Sequence, residues 1–296
     1  MQEIIAQFLD HIAFERGLAV NTRAAYAADL QAFATFLTAR GVHLFNQVAR
    51  RHIVEFLTDQ RRQALAVSTV ARRLVAVKVL FGYLQREGLL DRNVAEAMNS
   101  PKLWRTLPEI LTPTEVGRLV DAAAGDKAQA VRDHAILELF YSCGLRISEV
   151  AALRLGDVQF DGGFVRCTGK GDKQRVVPLG NIAAASLRRY LDKIRPRWAK
   201  KAPGDDHLFL SQQGKGFTRQ GLYKVVMHYA REAGLGGRLT PHTLRHCFAS
   251  HLLANGAQLR AIQEMLGHAS IATTQIYTHV DQNRLVAVHR KFHPRA

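Results

Sequence analysis

The 296-residue sequence has few cysteines and no long apolar run, and each absence excludes a class of protein. Its three cysteines, Cys143, Cys167 and Cys247, form no Cys-x-x-Cys pair, so neither a disulfide framework nor a zinc finger is predicted. No run approaches the ~20 apolar residues of a spanning helix, and the N-terminus lacks a basic segment followed by an apolar one. We therefore expect a cytoplasmic protein without a membrane partner.

Negative charge is scarce, and this scarcity points to a partner. The chain carries 41 Lys and Arg against 25 Asp and Glu, a net charge of +16. Residues 1–100 hold 12 of the cations and 9 of the anions, so 13 of the 16 excess positive charges follow residue 100. Such an imbalance repels itself unless a polyanion binds, and the cations are spread through folded segments as phosphate contacts require. A basic protein with an ordinary solvated surface is the alternative.

Apolar periodicity predicts a two-domain, mainly α protein. Residues 1–88 show four helical patterns, the fourth with Ser68 as its N-cap. Prolines interrupt residues 89–111, which we interpret as a linker. Residues 112–296 form the second domain, whose first helix is capped by Thr112 or Thr114.

The second domain is predicted to be α+β with a small antiparallel sheet. FVRCTG and QRVVPL flank GKGDK as the strands of a hairpin, and HLFLS at 207–211 is the candidate third strand. Helical patterns return in four places: 218–232, 242–255, 258–266 and after Asp281.

Six side chains in five short segments form the candidate active site. The segments GLRISE, TGKGDK, PHTLRH, LGHAS and QIYTH supply Arg146, Lys170, His242, Arg245, His268 and Tyr277. Together they can make one phosphate electrophilic and attack it, because cations bind phosphate oxygens and a phenol in a strong positive field is nucleophilic. Taken singly, each has a more ordinary interpretation. Arg146 can pair with Glu149, Lys170 can be exposed in a turn, and Tyr277 can be a core residue.

Two of these residues share a predicted helix. His242 and Arg245 are three apart, so they share one face beside its apolar side, and Pro241 fits the first turn, where unpaired N–H groups favour an anion. His242 and His246 have the spacing of zinc ligands on a helix. However, Thr243 replaces the glutamate of the His-Glu-x-x-His motif, so no metal is expected.

The order and spacing of the six residues resemble the tyrosine recombinase (lambda integrase-like) family. NTRAAYAADLQAF and ARRLVAVKVLFGYL look like its N-terminal core-binding domain, a SAM-like four-helix domain, and residues from about 107 onward look like its catalytic domain. The resemblance is closest to the bacterial Xer recombinases, through GLRISEVAAL, GKGDKQRVVPLG and LTPHTLRHCFASHLLANGAQLRAIQEMLGHASIATTQIYTHV. ANGAQLR and the ending HPRA without a basic tail look more like the D than the C paralogue.

The resemblance implies how the six residues act. Tyr277 would attack a backbone phosphorus, leaving a 3′-phosphotyrosyl link and a free 5′-hydroxyl, while Lys170 would protonate the departing oxygen and His242 would act as acid/base. Three further side chains would bind the phosphate: Arg146, Arg245 and His268. The tyrosyl ester conserves the energy of the broken bond, so the resemblance implies no ATP, metal or other cofactor.

The resemblance also implies partners. Double-stranded DNA with a dif-like recombination site would be held in a C-shaped clamp, by a heterotetramer with a paralogous Xer recombinase, assisted by a septal DNA translocase. The function would be resolution of chromosome dimers at cell division. An integrase of a mobile element and a non-catalytic basic DNA-binding protein are the alternatives.

Two helices are assigned to these contacts. TRQGLYKVV is predicted to face a DNA groove, where Arg219, Gln220 and Lys224 can reach bases or phosphates, although a solvated face fits equally well. The C-terminal helix DQNRLVAVHRKFH is expected to dock in a neighbouring protomer, with packing on its own domain as the alternative.

Overall fold

The chain forms two compact units, Met1–Arg105 and Thr106–Ala296. The computed structural model describes residues 1–16, 20–96, 98, 110–169, 174–267 and 279–296. Each unit buries a hydrophobic core of its own, and the predicted two-domain, mainly α fold is confirmed. Within the described ranges, no helix combines the length and the apolar character needed to cross a membrane.

The described part of the first unit contains four α-helices, as its apolar periodicity predicts. They are α1 (Gln2–Arg16), α2 (Val20–Thr38), α3 (Arg50–Arg62) and α4 (Val67–Arg86). Aromatic rings fill the space between them: the Phe33 ring centroid lies 5.0 Å from that of Phe56 and 6.5 Å from that of Phe81. The N-cap prediction for α4 is wrong, because Ser68 lies inside the helix. The carbonyl of Ala66 accepts the first helical hydrogen bond.

The second unit surrounds a small sheet with helices. The described helices are α5 (Pro113–Asp121), α6 (Ala128–Cys143), α7 (Ile147–Ala152), α8 (Asn181–Lys193), α9 (Arg195–Ala199), α10 (Arg219–Glu232), α11 (Pro241–Ala254), α12 (Leu259–Leu266) and α13 (His279–Phe292). The strands are β1 (Val158–Gln159), β2 (Phe164–Thr168) and β3 (Gln174–Pro178), antiparallel in the order β1-β2-β3. Of the two candidate caps of α5, Thr112 is the one used, since its Oγ1 accepts the N–H of Glu115 at 3.2 Å.

The predicted hairpin is confirmed, whereas the predicted third strand is wrong. β2 and β3 pair with Val165 opposite Val177, and the third strand is the short β1. Residues 207–211 form isolated bridges instead, such as His207 with Arg154. The guanidinium of Arg195 donates to the carbonyls of His207 and Leu208, which takes acceptors that a ladder would need.

Helix α13 lies on its own unit in this single chain. Leu285 is fully buried there, and Nε2 of His289 lies 2.8 Å from the carbonyl oxygen of Ser142. Nε2 of His293 lies 3.2 Å from the next carbonyl, that of Tyr141, and both carbonyls belong to α6. Because a carbonyl oxygen can only accept, each imidazole donates a hydrogen bond from Nε2. Polar as well as apolar contacts therefore hold α13 on this unit.

Candidate active site

Gly144 sets the entrance of the site by ending α6. Its φ of 56° is left-handed, and its N–H donates to the carbonyl of Phe140 at 3.0 Å. A Cβ at this position would lie 2.4 Å from the Phe248 ring on α11, so both the conformation and the close packing require glycine. The chain therefore turns sharply, and Arg146 follows as the N-cap of α7.

Glu149 fixes Arg146 from one turn further along α7. The carboxylate accepts the backbone N–H of Arg146 at 2.7 Å and its guanidinium at 2.9 Å. Glu149 is buried, whereas 46% of the Arg146 side chain remains exposed. Glu149 therefore fixes one side of the guanidinium, while the other side remains exposed and can donate hydrogen bonds to a ligand.

A second arginine, Arg175 of β3, binds the same carboxylate. Its two terminal nitrogens donate to the two carboxylate oxygens of Glu149 at 2.7 and 2.8 Å, and its Nε donates to the carbonyl of Met265 at 2.8 Å. Only 5% of Arg175 is exposed. The bidentate geometry makes this a strong pair in a buried place.

A third arginine, Arg245 of α11, completes the group. It donates to the carbonyl of Gly144 at 2.8 Å and to that of Leu266 at the end of α12. Its guanidinium lies 3.8 Å from the Glu149 carboxylate. The Glu149 cluster, defined as Glu149 with Arg146, Arg175 and Arg245, thus joins α6, α7, β3, α11 and α12.

Two of the three histidines of α11, His242 and His246, lie on its exposed face. The helix begins with Thr240 as its N-cap, and Pro241 lies in its first turn as predicted. The rings of His242 and His246 stack with centroids 4.5 Å apart and planes 4° from parallel. The predicted helix is confirmed and both His242 and Arg245 lie near its start, with His242 exposed and Arg245 buried.

The electrostatics of the cluster follow from burial and from its charges. Burial raises the pKa of Glu149, but the hydrogen bonds and positive charges of Arg175 and Arg146 outweigh burial and bring it to about 2. Burial, and then the charges of Arg146 and Arg175, lower the pKa of Arg245 to about 10. At neutral pH the carboxylate is ionised and the guanidinium is protonated, so the cluster has a net positive charge around a fixed internal counterion.

Three of the six candidate residues, Lys170, His268 and Tyr277, lie outside the described residues. The described chain stops beside each of the first two: β3 begins at Gln174, after residues 170–173, and Gly267 ends α12 directly before His268. The cluster therefore contacts β3 and the end of α12, which are the described elements nearest in sequence to Lys170 and His268.

The predicted DNA-facing helix α10 is exposed at its start. Thr218 caps it by accepting the N–H of Gly221 at 3.1 Å. Arg219, Gln220 and Lys224 are all exposed, and they line a depression together with Tyr223 and Ile147 of α7. Because Arg146 caps the helix that Ile147 begins, this basic surface adjoins the cluster.

Among the described residues, one group of two carboxylates and a histidine has the geometry of possible metal ligands, and it lies outside the cluster. Asp205, Asp206 and His207 bring ligand atoms within 4.8 Å of one another. Each is already bound within the protein: Asp205 contacts the His207 ring at 2.6 Å and Gly216 N–H at 2.8 Å, and Asp206 pairs with Arg154. These contacts indicate that the three side chains stabilise the loop around residues 205–207.

Sequence reasoning found Arg146, His242 and Arg245, but it missed Arg175 and gave Glu149 only the ordinary role of a pairing residue. A signal for Arg175 exists in retrospect. It directly precedes the apolar end VVPL of this strand segment, where Val176 and Val177 are buried. An arginine inside such a strand needs a buried partner.

Comparison with known families agrees with the two units. The family described as Phage integrase matches residues 109–284. The family described as Phage integrase, N-terminal SAM-like domain, matches residues 5–88.

Similar full-length proteins bear recombinase names. The chain is 40% identical over 297 residues to Tyrosine recombinase XerD of Listeria monocytogenes serotype 4b, covering 100% of both chains. It is 43% identical over 298 residues to Tyrosine recombinase XerC of Roseiflexus castenholzii, covering 100% of this chain and 95% of that protein.

Solved structures show the same fold. The XerH recombinase bound to a palindromic difH substrate, in a post-cleavage complex, superposes with a TM-score of 0.71 at 25% identity, covering 91% of this chain and 79% of that one. A lambda integrase dimer bound to a COC′ core site superposes with a TM-score of 0.70 at 18% identity, covering 93% and 98%.

Proposed function

We propose that the Glu149 cluster binds the scissile phosphate of DNA, because the chain belongs to the phage integrase family and is a site-specific tyrosine recombinase of the Xer type. The observation that carries this proposal is the arrangement of Arg146 and Arg245 around one buried carboxylate. A carboxylate holds several guanidiniums close together, and the exposed side of Arg146 leaves donors for an anion.

The two arginines are assigned to the nonbridging phosphate oxygens. Negative charge grows on these oxygens as the phosphorus becomes five-coordinate, and preorganised guanidiniums stabilise that charge. Arg245 is fixed by the carbonyls of Gly144 and Leu266 before any substrate arrives. Its position therefore needs little reorganisation at the moment of reaction.

The remaining roles come from the family resemblance. Tyr277 attacks phosphorus and forms the 3′-phosphotyrosyl link, and Lys170 protonates the departing 5′ oxygen. His242 acts as acid/base, and His268 hydrogen-bonds the phosphate. The exposed position of His242, at the same helix end as Arg245, supports its part in this assignment.

The DNA is proposed to be a dif-like double-stranded site, and the biological reaction to be resolution of chromosome dimers at cell division. The XerH relative was solved on a difH substrate, and both XerD and XerC relatives match this chain over nearly its full length. We accordingly assign a paralogous Xer recombinase and a septal DNA translocase as partners. Arg219, Gln220 and Lys224 are assigned to the duplex, supported by their exposure next to α7.

Docking of α13 in a neighbouring protomer belongs to the same proposal. The carbonyls of Ser142 and Tyr141 that receive this helix in the single chain are equally suited to receive the same helix from a second copy.

A nicked suicide duplex carrying a dif-like core site tests the catalytic assignment. The full chain is incubated with it in EDTA, with and without the paralogue, beside Tyr277→Phe, and products are resolved on a denaturing gel. A covalent protein–DNA adduct that is absent with Tyr277→Phe is expected. DNA binding without any adduct from the unmodified chain would favour a binding protein over the proposed enzyme.

A further inference from the structure

We infer that Arg175 is a positioning residue of the recombination reaction, whose side chain holds together the elements that carry the phosphate-binding groups. The inference rests on the proposed function, since it assumes that the Glu149 cluster receives the scissile phosphate. Neither the charge count nor the family motif assigns Arg175 a part in the reaction. Its contacts do.

The first contact fixes Arg146 indirectly. Arg175 uses two parallel hydrogen bonds, of 2.7 and 2.8 Å, to hold both oxygens of Glu149. The same two oxygens bind the backbone and the guanidinium of Arg146 at 2.7 and 2.9 Å. A carboxylate held on one side by a planar fork has one orientation left for its other side, so Arg175 sets the direction in which Arg146 points.

The second contact fixes the end of α12. Helix ends leave carbonyls without intrahelical partners, and cations are favoured there. Arg175 donates to the Met265 carbonyl at 2.8 Å, and Arg245 donates to the next carbonyl, that of Leu266. Gly267 packs directly on Arg175, because a Cβ on Gly267 would lie 2.8 Å from the Arg175 Cδ. In sequence, Gly267 is followed directly by His268.

The third link runs along the main chain. Arg175 is the second residue of β3, paired across the hairpin with Cys167 of β2, and the hairpin connection between these strands contains Lys170. One buried side chain of β3 therefore links this strand to the helix of Arg146 and to the end of α12. Removing the Arg175 side chain is expected to let these elements move relative to one another. A displacement of a catalytic group by ~1 Å can lower the reaction rate about 100-fold.

The test compares Arg175→Met and Arg175→Lys with a structural control, Arg132→Met. Arg132 is also a buried arginine of the second unit, where it donates to Asp133 at 2.7 Å and to the Leu210 carbonyl at 3.3 Å. Thermal unfolding and the Kd for the duplex are measured for every full-length variant. Single-turnover cleavage of the suicide duplex is then normalised to the DNA-bound protein.

Two substrates separate positioning from stability. One has an ordinary scissile phosphate, and the other has a methylphosphonate there, which lacks the negative charge that the arginines neutralise. For Arg175→Met we expect a loss of about 100-fold on the phosphate and a much smaller loss on the methylphosphonate. Arg175→Lys is expected to recover only part of the loss, because one ammonium cannot span both Glu149 oxygens and the Met265 carbonyl.

The outcomes are distinguishable. Arg132→Met is expected to lower the unfolding temperature while its normalised cleavage stays near that of the unmodified chain on both substrates. Equal losses for Arg175→Met on the two substrates, or normalised cleavage at the unmodified rate, would overturn the inference. If the unmodified chain itself forms no Tyr277-dependent adduct, the proposed function fails instead.

Discussion

Replacing Glu149 with glutamine should destabilise the second unit in a pH-dependent way. The change keeps the shape of the side chain and removes its charge. The pKa of Glu149 falls from 4.5 to about 2 on folding, and each pKa unit is worth about 1.36 kcal/mol, so the ionised carboxylate contributes about 3 kcal/mol at pH 7. Arg175 and Arg146 supply most of this, since their bonds and charges outweigh the cost of burial.

The sign of the pH dependence follows from the direction of the shift. The folded-state pKa lies below the unfolded one, so the contribution is complete above pH 4.5 and disappears as pH falls toward 2. At pH 3.5 it should be about 2 kcal/mol. The difference in unfolding free energy between the unmodified chain and Glu149→Gln should shrink accordingly.

Urea unfolding at pH 7, 5 and 3.5 measures this difference. Glu264→Gln is the matched control, because Glu264 also pairs with two arginines, Arg260 and Arg284, whose side chains are 74% and 43% exposed. Exposed pairs are worth at most about 1 kcal/mol, so the control should change little. A difference for Glu149→Gln that is below about 1 kcal/mol at pH 7, or constant over this pH range, would refute the reasoning.

Three other measurements address separate parts of the chain. Gly144→Ala should cost about 2–4 kcal/mol of unfolding free energy, since it adds left-handed strain to a clash with Phe248, whereas Gly234→Ala, with a similar φ of 70° and open space, should cost about 1 kcal/mol; equal costs would contradict this. Burial lowers the pKa of His289 to about 4, so stability should fall as pH drops from 6.5 toward 4, and His289→Gln should flatten that slope in urea titrations; an unchanged slope would argue against it. Lys224→Ala should weaken duplex binding for all sequences alike and reduce the salt slope of log Kd by about 1, and an unchanged slope would remove it from the interface.

Local patterns in the sequence gave the helices, and the structure follows them closely. The apolar spacing after Thr240 and before Gly267 predicted α11 and α12, because the cap, the proline and the left-handed glycine act within a single turn. The pairing of Arg146 with Glu149 was foreseeable for the same reason, since the two residues are neighbours on one helix. The family followed from the ordered set of motifs.

Long-range contacts were not predictable in this way. Arg175 meets Glu149 across 26 residues and Met265 across 90, and no periodicity encodes such a meeting. The mistaken third strand has the same origin: HLFLS has the composition of a strand, but Arg195 binds its carbonyls. Side chains distant in sequence decided both outcomes.

Under the proposed function, the Glu149 cluster also fixes the net charge that the scissile phosphate meets. Three guanidiniums and one carboxylate leave two positive charges among the described residues of the cluster. A phosphodiester brings one negative charge, and its five-coordinate transition state carries two. With a bound phosphodiester the cluster would keep one net positive charge, whereas with the transition state the net charge would be zero. The negative charge of Glu149 would therefore make the cluster match the charge of the transition state better than that of the ground state.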